Sequence, residues 1–362
     1  MLDPVAMATV GSGSYLPADV HILLRAMELA PTSVLEKERS IQRQQKHYSE
    51  MLGREEVPSG SHLAHFERAL ENNASRMAAD VQALALGLAA RYRQAPIVLV
   101  SFVRAGLPVG VLLRRALLEQ GRDVHHYGIS IVRGRGIDTV ALEHIIARHG
   151  ARSIAFVDGW TGKGAIAAEL KRSLEGDHRF PDVPQLVVLA DPCGRAWLAA
   201  SAQDWLIPSG VLGATVSGLV SRSVWPTDAG LHGCVVQHDL KAHDLTRPFI
   251  ERVDAVRATV RASAAVPWAP AHADALQAAT AKVFEYLCER FDTNDLNRIK
   301  PGIAEATRAV FRRVPDQVLV RDRCDPDVQL LIHLTRHAGI EVQEAGTALG
   351  SYRAATLIRR VS

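Results

Sequence analysis

Between residues 97 and 190 the chain alternates repeatedly between short, β-branched apolar runs and stretches of helical spacing, and few architectures accept that pattern. The apolar runs are 97–103, 124–132, 153–157 and 185–190, each bounded by Pro, Gly or polar residues. A strand that is apolar at consecutive positions is buried on both faces, as in a parallel sheet covered by helices. The intervening stretches 109–119, 139–148 and 164–174 carry helical periodicity, and the connections are short. The pattern predicts an α/β domain with a mostly parallel sheet and helices on both faces. In such sheets ligands sit outside the carboxyl ends of the strands.

The flanks are less regular. Residues 1–60 mix polar and apolar stretches, and helices are the expectation there, in an N-terminal extension packed on a main domain of 61–262. Upstream of the first strand, Leu63, Phe66, Leu70, Met77, Val81, Leu84 and Leu88 recur at three- and four-residue steps, which is one buried helical stripe. A small-residue, proline-containing stretch, 263–273, reads as a linker. Beyond it, 274–362 reads as a second, smaller α/β unit. Its helices are expected at 274–291, 302–313 and 327–337, and its strands at 317–321, 340–344 and 355–361.

Composition narrows the function classes. With 42 basic and 39 acidic residues the net charge is +3, so any nucleic-acid case must be local. The four cysteines form no CxxC pair, which speaks against a disulfide framework or a Cys-rich zinc site. The longest uncharged run, 205–221, contains Pro208 and three glycines and is too short to span a bilayer. With no secretory signal in view, a cytoplasmic protein without a membrane partner is expected.

Three turns carry the chemistry. In IAFVDGWTGKGAI, from Ile154 to Ile166, an apolar strand ends in Asp158, and a Gly-rich turn leads into a helix. Backbone N–H groups of such a turn, with Gly159, Thr161, Gly162, Lys163 and Gly164, predict a phosphate site. It is not a Walker A loop, because Val157 and Gly164 stand where Gly and Ser/Thr belong. In VSFVRAGLPVGVLL, Arg104, Ala105 and Gly106 follow a buried strand; Arg clamps oxyanions and Gly admits a close backbone approach. SIVRGRGID, with Arg133 and Arg135, reads as a loop closing over anions. Two such turns at neighbouring strand ends suggest one ligand with two separated phosphate groups.

At these residues the chain resembles the type I phosphoribosyltransferases. Together with GSGSYLPADV, KHYSEML, LADPCG and SGLVSRSV, the motifs resemble the phosphoribosyltransferase/Pelota-domain family of bacterial tellurite-resistance stress clusters, also labelled the cysteine protease StiP family. The resemblance implies a type I phosphoribosyltransferase-like sheet followed by a small Pelota (L7Ae-like) domain. It implies Mg²⁺-dependent phosphoribosyl transfer from phosphoribosyl pyrophosphate (PRPP) to a base-like acceptor. Asp158 would hold the ribose, Thr161 to Gly164 the 5-phosphate, and Arg104 and Gly106 the pyrophosphate, with Asp158 and Asp191 facing Mg²⁺ and Arg133 and Arg135 as the lid. A homo-oligomer is expected. The alternatives are a non-catalytic PRPP or nucleotide sensor controlling an RNA-binding domain and, more remotely, a cysteine protease.

The chain departs from the phosphoribosyltransferase pattern in two respects: Gly159 stands where a second acid is usual, and the loop is at least one residue shorter. In the C-terminal unit Lys300, Gly302 and Glu305 match the L7Ae-like RNA turn, with Arg308 nearby and Leu349-Gly350 as the opposing loop, while Ala304 replaces the usual Asn. Structured RNA is the partner this implies. Cys193 reads as a buried structural thiol, because no oxyanion or helix-cap signature accompanies it. His125, His126 and His144 read as structural.

Overall fold

The structure is a computed structural model that describes residues 9–93, 96–260 and 270–361. Its larger sheet has the order β1-β2-β4-β3-β7-β8-β9, with β10 beside β2. These strands are β1 (Thr9–Gly11), β2 (His21–Ala26), β3 (Ile97–Phe102), β4 (Val124–Ile129), β7 (Ile154–Val157), β8 (Leu186–Ala190), β9 (Leu198–Ser201) and β10 (Gly233–Cys234). β5 (Ile131–Val132) and β6 (Gly136–Ile137) form a separate hairpin. All pairings in the large sheet are parallel except β1 with β2.

Strand alternation distributes the core to both faces. Ile97 and Leu99 of β3 join one apolar cluster, whereas Val98 and Val100 join the other. The first face is covered by α2 (Gly60–Arg91), α3 (Gly106–Glu119) and α6 (Thr246–Thr259), and the second by α4 (Thr139–His149) and α5 (Ala165–Ser173); α1 (Val34–Gln42) lies outside this pair of layers. α2 runs for 32 residues and is capped by the Ser59 hydroxyl, which accepts from the His62 N–H at 3.2 Å. Along it Phe66, Leu70, Met77, Val81, Leu84 and Leu88 are buried, as their spacing requires.

The second unit is a four-stranded sheet, order β11-β14-β12-β13, from β11 (Ile299–Pro301), β12 (Pro315–Val320), β13 (Val342–Glu344) and β14 (Ala354–Ile358). It carries α7 (Pro270–Arg290), α8 (Ile303–Arg312) and α9 (Gln329–His337). It does not stand apart. Ile303, Ala306, Val318 and Leu331 belong to the same apolar cluster as Leu70 and Trp205 of the larger unit. Asp204 accepts the backbone N–H of both Ile303 and Arg353 at 2.8 Å.

Several local expectations change. Residues 21–26 form a strand of the main sheet rather than a helix, because Ile22, Leu23 and Leu24 are buried on both faces beside β4. The expected strand 124–132 breaks at Ser130. Its carbonyl accepts from Asp138 N at 2.9 Å and its hydroxyl meets His232 Nδ1 at 2.7 Å, so Ile131–Val132 turns away into the hairpin. Of the expected linker, 263–269 lie outside the described residues, whereas 270–273 already belong to α7. Among the described residues, no helix is long and apolar enough to cross a membrane.

Candidate functional site

The strand order defines where a site forms. From β3 the chain moves to β4 on one side and then to β7 on the other, so β3 and β7 flank the point where the winding reverses. Ligands of doubly wound sheets sit at that point. The turns after these two strands are the Arg104–Gly106 and Asp158–Gly164 turns, and they touch. A Cβ on Gly106 would lie 2.2 Å from the Val157 carbonyl oxygen, so only glycine permits this approach.

Against these turns lies the C-terminal unit, and the space between is a cleft of two adjoining cavities. The inner one, about 240 Å³, is lined by Arg104, Ala105, Asp158, Trp160, Thr161, Gly162, Gly164, Glu305 and Arg308. The outer one, about 530 Å³, is lined by Lys37, Tyr48, Arg133, Lys163, Lys300 and Arg313 among others. Ala165, Ile166, Arg222, Glu305 and Arg312 border both. Part of the predicted set from each unit, Arg104, Asp158, Thr161 and Lys163 with Lys300, Glu305 and Arg308, therefore meets in one place, whereas Asp191, Arg135, Leu349 and Gly350 line neither cavity.

Their roles differ from those expected. Arg104 is 7% exposed and tied down, its guanidinium 2.5 Å from Glu55 and donating to the Val220 carbonyl at 3.1 Å. Glu55 also faces Arg312 at 3.7 Å, which bridges the units, and these arginines hold its carboxyl at about 2 against the cost of burial. The Thr161 hydroxyl turns inward and donates to Asp191, and the Cys193 thiol approaches it at 3.2 Å. Lys163 reaches across to donate to the Leu296 carbonyl at 2.5 Å. Gly162 faces the Glu305 carboxylate, which a Cβ there would meet at 2.8 Å. Asp158 accepts from the Gly159 N–H at 2.8 Å, and burial pushes its carboxyl up to about 7.

Asp191 does not fit the expected magnesium role. It is fully buried, one oxygen accepting from Thr161 and the Arg195 N–H, the other from the Ala196 N–H at 2.7 Å. Its carboxylate is spent on holding the 191–196 loop. The lid is pinned as well. Gly134 N and Ile137 N donate to Glu169 and Ser173 of α5, and Arg135 pairs with Glu50 over the Trp225 ring. Arg133 alone of the two faces the cleft, against Tyr48.

In the C-terminal unit Lys300 sits in the outer cavity, and burial lowers its ammonium to about 7. Gly302 adopts φ 88° at the start of α8, and Glu305 and Arg308 face the inner cavity, with Arg308 4.5 Å over the Trp160 ring. The Arg308 Nε is buried without a hydrogen-bond partner. Leu349 is in the unit's core and Gly350 packs against Val283, while the adjoining Ser351 donates to the Pro192 carbonyl at 3.1 Å. His126 is structural, its ring joining Ser101 Oγ at 2.8 Å to the Asp19 carbonyl at 2.9 Å. Sequence reasoning missed Lys37, Glu55 and Arg222 as site residues: Lys37 and Arg222 line the outer cavity, Glu55 acts through Arg104 and Arg312, and each comes from a distant segment; Arg222 lies in SGLVSRSV, which served only to mark the family.

The architecture is an α/β body with a site at its winding reversal, covered by a unit of the Pelota RNA-binding class, whose family model matches residues 278–360. A second family model, described as tellurite-like stress resistance cysteine protease StiP, matches residues 13–254, and the chain belongs to that family. It is 49% identical to a protein named cysteine protease StiP from Acinetobacter baylyi, over 97% of this chain and 94% of that one. Among solved structures, the hypoxanthine phosphoribosyltransferase of Trypanosoma cruzi aligns at 18% identity, over 35% of this chain and 77% of that one, with a TM-score of 0.29. The same enzyme bound to its product IMP aligns at 17% identity, over 35% and 75%, again at 0.29. So loose a likeness carries no functional argument. The expectation of PRPP-dependent phosphoribosyl transfer is overturned here, because the relative matching nearly the whole chain bears a cysteine protease name.

Proposed function

We propose that the cleft between the two units binds a phosphorylated ligand, its phosphates lying in the outer cavity over the N-terminus of α5. The observation that carries this is an excess of charge. Eight basic side chains line the outer cavity against two acidic ones, Asp295 and Glu305. Burial pushes Lys37 and Lys163 down to about 8 and Lys300 to about 7, and cationic neighbours add to each shift. Such a cluster is costly without an anion to neutralise it, and phosphate oxygens at a helix N-terminus supply one. Calorimetric titration with inorganic pyrophosphate tests the reading. Binding is expected to weaken about tenfold in Lys300→Ala, the loss of one charge-assisted bond. Absence of heat with the wild type would contradict it.

The name of the Acinetobacter relative favours a second reading, cysteine proteolysis. The thiol nearest the cleft turns is Cys193, 1% exposed, and burial and the adjacent Asp191 push it well above the usual thiol range. A nucleophilic thiol needs an electropositive, accessible setting, and Cys193 has neither. Comparing casein hydrolysis by wild type and Cys193→Ser tests this reading; loss in the variant alone supports it.

A further inference from the structure

The turn that leads into α5 is shaped for an anion, and the smaller unit sets a carboxylate against it. Gly164 adopts φ 77°, and the N–H groups of Gly162 through Ala167 donate no hydrogen bond among the described residues. Successive free N–H groups around a left-handed residue at a helix start form an anion nest. Glu305 of α8 lies at its mouth. A Cβ on Gly162 would meet the Glu305 carboxyl carbon at 2.8 Å and its Oε1 at 2.9 Å, so this side chain fills the space that a larger residue at 162 would take.

Glu305 holds that place without bonds. Its carboxylate makes no hydrogen bond or ion pair among the described residues, although Lys163, Lys300 and Arg308 all feel its charge. Arg308 stands three residues further along the same helix, a spacing at which opposite charges share a face and pair. Instead the Arg308 Nε is buried without a hydrogen-bond partner, beside the same inner cavity. An unpaired carboxylate and an unpaired guanidinium held apart on one helix give the Glu305 side chain two seats. In one it faces the nest; in the other it turns back to Arg308.

We infer that Glu305 is an autoinhibitory gate on the anion turn, which an incoming phosphate displaces onto Arg308. The two anions do not share the nest, because like charges at such short range repel. Phosphate takes the place, since its oxygens accept several N–H bonds where Glu305 accepts none. The gate belongs to the smaller unit and the nest to the larger, so ligand entry is coupled to the seating of α8 against the turn. This inference rests on the phosphorylated-ligand reading.

The full chain, as wild type and as Glu305→Gln, is titrated calorimetrically with inorganic pyrophosphate. Gln keeps the shape of the side chain and removes its charge. Glu305→Gln is expected to bind about tenfold more tightly, the effect of taking one like charge out of a partly screened site. Asp295→Asn removes an equal charge from the exposed rim of the outer cavity, where salt screens it, and a gain of about twofold or less is expected. Arg308→Gln should weaken binding in the wild-type chain and weaken it less in the Glu305→Gln chain, where no charge needs a second seat. Equal or weaker binding by Glu305→Gln, a matching gain in Asp295→Asn, or the same Arg308→Gln loss in both backgrounds overturns the inference and leaves the phosphorylated-ligand reading standing. If the wild type takes up no pyrophosphate, the underlying reading fails. Should Glu305→Gln not fold, Glu305→Ala gives the same test.

Discussion

The Tyr352 hydroxyl donates to the carbonyl of Gly162 at 2.9 Å, so a buried side chain of the small sheet holds the turn after β7. A bond between units fixes the cleft as well as stabilising it. Tyr352→Phe removes the donor and leaves the Gly162 carbonyl without that partner. The expected cost is about 1–3 kcal/mol of unfolding free energy, read by denaturant titration.

Asp204 makes stability depend on pH. Burial pushes its carboxyl up to about 7 despite two backbone N–H donors. The folded protein therefore holds this proton more tightly than the unfolded chain does. Its contribution is complete below about pH 4 and is lost as pH rises to about 7. Asp158 titrates with the same sign. Asp204→Asn should flatten the fall in melting temperature between pH 4 and pH 7 relative to wild type. An unchanged slope would show that Asp204 is not buried as described.

Gly106 is the tightest contact between the two turns. Gly106→Ala would drive a methyl group into the Val157 carbonyl, 2.2 Å away. Overpacking of backbone against backbone costs about 1–3 kcal/mol, and pyrophosphate binding should fall because the turns separate. A variant as stable as wild type would contradict the packing.

Much of the sheet was legible for a physical reason. β3, β7 and β8 are buried on both faces, so their sequences are apolar at consecutive positions and cannot pass for amphipathic helix. β2 was not, because HILLRA has only three apolar residues in a row between a histidine and an arginine. The site was half legible. The Gly-rich turns announce a close backbone approach locally, but the covering wall depends on contacts such as Arg313 with Glu38, 275 positions apart. No local pattern reveals that Lys163 leaves its own turn for Leu296, or that Thr161 points at Asp191. The alternating pattern led correctly to a parallel sheet, yet the resemblance to phosphoribosyltransferases led to an activity that the family's relatives do not bear in their name.

The cysteines offer a probe of the fold that needs no ligand. Cys324 is exposed, whereas Cys193 and Cys234 are buried, and burial pushes both buried thiols up, Cys234 to about 12. Brief iodoacetamide treatment at neutral pH should alkylate Cys324 first and spare Cys193 and Cys234 until the protein is unfolded. Mass spectrometry of the labelled peptides checks this. Rapid native labelling of Cys193 would place an activated thiol at the cleft and strengthen the protease reading.

The proposed anion site is built by two units, with Lys163 on one side and Lys300 on the other. A crystal structure of the full chain soaked with inorganic pyrophosphate tests it most directly. The expected result is pyrophosphate between these two lysines, over the first turn of α5. Pyrophosphate bound only at surface lysines, with the outer cavity filled by water, would contradict it.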